Sequence, residues 1–67
     1  PLEEVLRMLE RRYDVSFEIK DEKALRYSYT LITRQTTITD ILGELEKIAP
    51  VKFTFQKDKI LVTLRRP

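Results

Sequence analysis

Sixty-seven residues limit the chain to one domain, close to the smallest size at which an unaided core holds; a domain of about 60 residues buries only about 60% of the surface its unfolded chain exposes. With no cysteine, no histidine and a single glycine, the composition excludes disulfides, thiolate zinc sites, histidine-based catalysis and glycine-rich phosphate loops. Thirteen basic and eleven acidic residues leave a net charge of +2, and the two signs interleave, as on a solvated mixed surface rather than a polyanion site.

No apolar run approaches the ~20 residues of a membrane helix. The N-terminus carries Glu3 and Glu4 in an amphipathic pattern, unlike a signal peptide. Because the chain begins with Pro1 rather than Met, we expect a fragment of a longer protein.

Leu2, Val5, Leu6, Leu9 and Tyr13 recur at helical spacing, with Met8 on the shoulder. Glu3 and Glu4 at the start and Arg11 and Arg12 at the end suit the helix dipole. Pro1 fits the first helical position, which places the capping residue upstream of the chain. Val15, Phe17 and Ile19 then alternate with Ser16, Glu18 and Lys20, the pattern of a strand with one buried face. Residues 21–25 read as a polar connection or a single helical turn, with Leu25 tucked beneath. A second alternation, Tyr27, Tyr29 and Leu31 against Ser28, Thr30 and Ile32, predicts another strand, in which either face could claim Ile32.

Thr36 and Thr37 are N-cap residues for a second helix, and Asp40 stands where a capping box places its acid. Ile38, Ile41, Leu42, Leu45 and Ile48 form its apolar stripe, and Pro50 ends it. Gly43 lies inside that helix, either for a close approach or as a surface glycine of no consequence. Val51, Phe53 and Phe55 alternate with Lys52, Thr54 and Gln56. Lys57-Asp58-Lys59 then turns the chain into Ile60–Leu64, a hairpin without the glycine that tight turns favour. Phe17, Phe53 and Phe55 are all assigned to the core. Residues 65–67 read as a frayed end.

The strongest internal signal is a repeat at an offset of 36. Leu2 falls on Ile38, Val5 on Ile41, Leu6 on Leu42, Leu9 on Leu45, Glu10 on Glu46 and Arg11 on Lys47. The register continues without a gap into the strands: Val15 on Val51, Phe17 on Phe53, Ile19 on Phe55. Two copies are too few for a solenoid. The expected fold is therefore α+β, a pseudo-symmetric repeat in the order α-β-β-α-β-β, with two helices on a small mixed sheet or between two small sheets. By the same symmetry a strand should precede the first helix, so we expect a missing leading strand and an open sheet edge.

Nothing in this pattern assembles a catalytic site. Ser16 and Ser28 fall in strands, Thr36 and Thr37 are explained by capping, and Glu3 with Arg7 and Glu44 with Lys47 have the spacing of helix-surface ion pairs. The chain is read as a binding domain rather than an enzyme, without cofactor or metal. Tyr13, Tyr27 and Tyr29 have two readings, a partner-facing patch or core-edge residues with wet hydroxyls. The candidate partner-binding residues are Tyr27, Tyr29, Leu31, Leu61 and Thr63.

One resemblance is specific enough to name. Pro1-Leu2-Glu3-Glu4-Val5-Leu6, then Leu9-Glu10-Arg11-Arg12-Tyr13-Asp14-Val15, resembles the opening of the C-terminal domain of FecR-type anti-sigma factors. Thr37–Leu42, Leu45, Val51-Lys52-Phe53 and Ile60–Val62 look like that family's second helix and its following strands. The resemblance covers essentially the whole of 1–67 as a single domain, and the domain is similar to the short N-terminal domain of secretins and TonB-dependent receptors. It departs from the family at Leu31 or a neighbour, where a glycine is common, and at Lys57-Asp58-Lys59, where glycine or asparagine is favoured.

The resemblance implies a periplasmic interaction domain of a single-pass inner-membrane anti-sigma regulator. Its partner would be the signalling domain of a TonB-dependent receptor, and pairing of two copies through an open edge is a further use of the same surface. Strand addition at a sheet edge is the expected mode of contact. The alternatives are that the domain belongs to such a receptor or to a secretin, or, from a different class, that it is a nucleic-acid module.

Overall fold

The computed structural model describes residues 1–27 and 37–65. Helix α1 spans Leu2–Tyr13 and buries Leu2, Leu6 and Leu9. The cap expected upstream is supplied differently: Pro1 is itself the N-cap, and the Leu2 N–H donates to the carbonyl of Tyr27 at 3.0 Å. A backbone group from later in the chain thus satisfies a donor that the helix cannot. At the other end Asp14 takes the left-handed conformation (φ 53°, ψ 47°), the only positive φ among the described residues.

Strand β1 is shorter than its alternation suggests, Phe17–Ile19. Val15 stays outside it but still packs, half-buried, against the core. A 3₁₀ helix, Glu22–Arg26, follows, capped by the Asp21 carboxylate, which accepts from the Lys23 N–H. The residue tucked beneath it is Ala24, fully buried, while Leu25 is only half-buried; a 3₁₀ turn repeats every three residues, which changes which side chain points inward. Tyr27 leaves this turn with extended backbone, and the rest of the strand expected over 27–32 lies outside the described residues.

Helix α2 runs Ile38–Ile48 from its N-cap Thr37, whose Oγ1 accepts from the Asp40 N–H at 3.2 Å. Ile41, Leu42 and Leu45 are buried, but the stripe ends early, since Ile48 is exposed. A Cβ at Gly43 would meet nothing within 4 Å, so the glycine serves no close approach. Strands β2 (Val51–Phe55) and β3 (Ile60–Leu64) form the hairpin. Its loop, Gln56–Lys59, is closed by the Gln56 N–H donating to the Lys59 carbonyl at 2.8 Å. No residue in it has positive φ, so the turn is not of the primed type that best matches strand twist.

The sheet order is β1-β3-β2, with β1 parallel and β2 antiparallel to the central β3. This is the expected α+β arrangement of two helices on a small mixed sheet. The helices, Ala24 and the inward residues Val51, Phe53, Ile60 and Val62 form one core on one side of that sheet. Each fully buried Leu or Val contributes about 1.5–3 kcal/mol of transfer free energy. Phe55 departs from its expected core position. It shares the inward face of β2 but lies half-exposed, at 51%, one pair from the hairpin loop.

Candidate functional site

Among the described residues, two surfaces of the sheet are left uncovered and are candidates for contact: its open face and its two edges. The open face carries residues whose neighbours on the same strands point inward. Leu61 sits at its centre, in register with Glu18 of β1 and Thr54 of β2, and Thr63 stands opposite Lys52. The Thr63 hydroxyl reaches the Lys52 carbonyl at 3.5 Å. Glu18 is held from two sides: Lys20 Nζ lies 2.7 Å from its Oε2, and Lys59 Nζ donates to its Oε1 at 2.8 Å. Those hydrogen bonds, from Lys20 and then from Lys59, lower the Glu18 pKa from its ordinary 4.5 to about 2, and the Lys59 ammonium is raised in return.

The five candidate residues therefore separate. Leu61 and Thr63 lie together on the open face of β3. Tyr27 is on the helix side, exposed, with its carbonyl tied to the start of α1. Tyr29 and Leu31 lie outside the described residues. Tyr13 packs, half-buried, against the core at the end of α1, with the Arg12 guanidinium 5.7 Å from its ring centre. No aromatic side chain stands on the open face among the described residues.

The edges show what the sequence reading missed. On β1, the Ser16 carbonyl accepts from Ile60 and the Lys20 N–H donates to Val62, so Phe17 and Ile19 turn their backbone groups away from β3. On β2, the Pro50 carbonyl and the Gln56 N–H reach β3 through Arg65 and Lys59. Val51, Phe53 and Phe55 therefore face outward. In each outer edge one N–H is met by a glutamate from the preceding helix. Glu10 Oε2 accepts from Phe17 at 3.0 Å, and Glu46 Oε2 accepts from Phe53 at 2.8 Å.

These are the repeat-related pairs: Glu10 falls on Glu46 and Phe17 on Phe53. The two phenyl rings also meet edge-to-face on the inward side of the sheet, 6.1 Å between centres. The pseudo-symmetry thus extends from hydrophobic pattern to a specific hydrogen bond. Its signal was present in the sequence as an acid at the same place in both copies, seven residues before a strand phenylalanine.

At the loop end of the sheet, a hollow of about 200 Å³ is lined by residues from Asp14–Ser16 and from the hairpin, including Phe55 and Lys59. Among the described residues, no three acidic side chains cluster as a metal site would need, and no helix is long and apolar enough to cross a membrane.

The comparisons with known proteins agree on one point. The family model described as FecR, C-terminal, matches residues 1–62. No curated protein and no solved structure matches the chain.

Proposed function

The chain belongs to the FecR C-terminal family, a regulatory family, and from that premise we propose that it is the periplasmic interaction domain of a membrane-anchored anti-sigma factor. In this reading it receives the occupancy signal of an outer-membrane, TonB-dependent receptor through that receptor's signalling domain. Its task is recognition, without chemistry of its own. The observation that carries the reading is the family match over 62 of the 67 residues.

The geometry supports strand addition as the mode of contact. The outer edge of β2 has three outward residues in extended conformation, Val51, Phe53 and Phe55; the Val51 N–H donates to the Ala49 carbonyl at 2.8 Å, and the half-exposed Phe55 side chain serves as an apolar anchor. Backbone hydrogen bonds along such an edge supply affinity, and side-chain positions supply selectivity. The test is a pull-down of the cognate receptor's signalling domain with the full periplasmic region that contains this chain. Retention that weakens on Phe55→Ala supports the proposal. No retention at high micromolar concentration sinks it.

A further inference from the structure

An exposed strand edge pairs as readily with a copy of itself as with a partner, unless something discriminates. The β2 edge has such a device in Glu46. Its carboxylate occupies the outward N–H of Phe53, the middle of the three outward residues. Two copies joined β2 to β2 in antiparallel sense would be related by a two-fold axis at Phe53. There the two residues would exchange N–H···O=C bonds while Val51, its N–H released from the Ala49 carbonyl, paired with Phe55.

Both Glu46 carboxylates would have to leave their N–H groups at that axis, and both would be left within one strand spacing, about 4.8 Å, of it. Like charges so placed oppose association strongly. A partner strand bringing a lysine or arginine to this point meets no such obstacle, because the displaced carboxylate exchanges one donor for another.

Resting on the strand-addition reading above, we propose that Glu46 guards the β2 edge: it denies the edge to a second copy of this chain and favours an extended partner strand with a basic residue opposite Phe53. Glu10 caps β1 in the same way, but β1 has only three residues and two outward positions, too short an edge to sustain a dimer.

Sedimentation of the chain and its variants tests this with the protein as its own probe. The wild type is expected to be a monomer. Glu46→Ala is expected to double in mass at the same concentration, Glu10→Ala to remain a monomer, and Glu46→Ala with Phe55→Pro to return to monomer, since proline removes an outward N–H that the dimer uses. Glu46→Lys alone is expected to be monomeric, yet to form a one-to-one dimer when mixed with wild type.

A folded, monomeric Glu46→Ala, or a dimer indifferent to Phe55→Pro, overturns the proposal. Should Glu46→Ala fail to fold, Glu46→Gln retains an acceptor for Phe53 and drops the charge. It is expected to self-associate at least about tenfold more tightly than wild type, and equal association overturns the guard. These outcomes are independent of receptor binding: a guard confirmed alongside a failed pull-down leaves this inference standing and removes the functional reading.

Discussion

The α1–β1 and α2–β2 units share a pattern but not a job. Both bury a leucine stripe, and both send a glutamate to the N–H of a strand phenylalanine. The first unit ends its helix on a left-handed Asp14 and contributes three half-buried strand residues. The second ends on extended Ala49 before Pro50 and contributes a five-residue strand whose Val51 is wholly buried. A repeated sequence thus yields two edge strands of unequal length and burial on either side of β3, which is adjacent in the chain to the second copy only. The difference teaches that the hydrophobic pattern specifies the local unit, while chain connectivity decides how deeply each copy is buried.

The largest effect that separates the two should come from the matched valines. Val51→Ala is expected to cost about 2–3 kcal/mol and Val15→Ala about 1 kcal/mol, by chemical denaturation, since the loss scales with the buried volume removed. Equal costs would break the distinction between a deeply and a shallowly buried copy. The paired glutamates should behave alike instead. At concentrations low enough to keep Glu46→Ala monomeric, it and Glu10→Ala are each expected to cost about 1–2 kcal/mol, the range for a hydrogen bond to a charged group, and to speed hydrogen exchange at Phe53 and Phe17 respectively. Protection unchanged at either amide would dissolve the symmetry there.

The helices offer a smaller contrast, in the stabilising direction. Asp14→Gly relieves a left-handed position and Gly43→Ala improves an open helix interior, each by about 0.5–1 kcal/mol. A fall in melting temperature for either would contradict the geometry at that site.

Smallest is the acid response of the Glu18 ion pairs, of which the one to Lys59 ties β1 to the hairpin. Because the folded-state pKa lies below the ordinary one, this contribution is fully present above pH 4.5 and is lost as pH falls toward 2. Glu18→Gln should therefore flatten the decline of the denaturation midpoint across that window, and added salt should shrink the difference. An identical pH profile for the variant would show that the pairs are inert.

Much of the fold was legible in the sequence. The helices, the hairpin and the repeat follow from periods of 3.6 and 2 that the residues display openly. The sheet order did not, because alternation records which face of a strand is buried and carries no information on which strand lies beside it. Phe55 was misplaced for a related reason: it continues the inward alternation, but it stands beyond the helices that would cover it. Glu10 and Glu46 aligned in the repeat, yet their purpose could be read only once the strands' hydrogen-bonding parity was known. Of the candidate residues, Leu61 and Thr63 share the open face of β3 as alternation implies, whereas the place of Tyr27 beside the start of α1 depends on a backbone hydrogen bond that the pattern does not display.

The central position of β3 has a further consequence, in the timing of synthesis. It is the last of the three strands in chain order, and Phe17 finds its neighbour Ile60 only after the second helix and β2 have been made. Among the described residues β1 and β2 pair with β3 alone, so in a nascent chain neither has that partner until then. Such long-range closure is slow, and it ties completion of this sheet to the synthesis of residues 60–64. A chain cut before Ile60 is expected to show no cooperative melt by circular dichroism; a cooperative transition in it would mean that the first unit can organise without the strand that here stands at the centre.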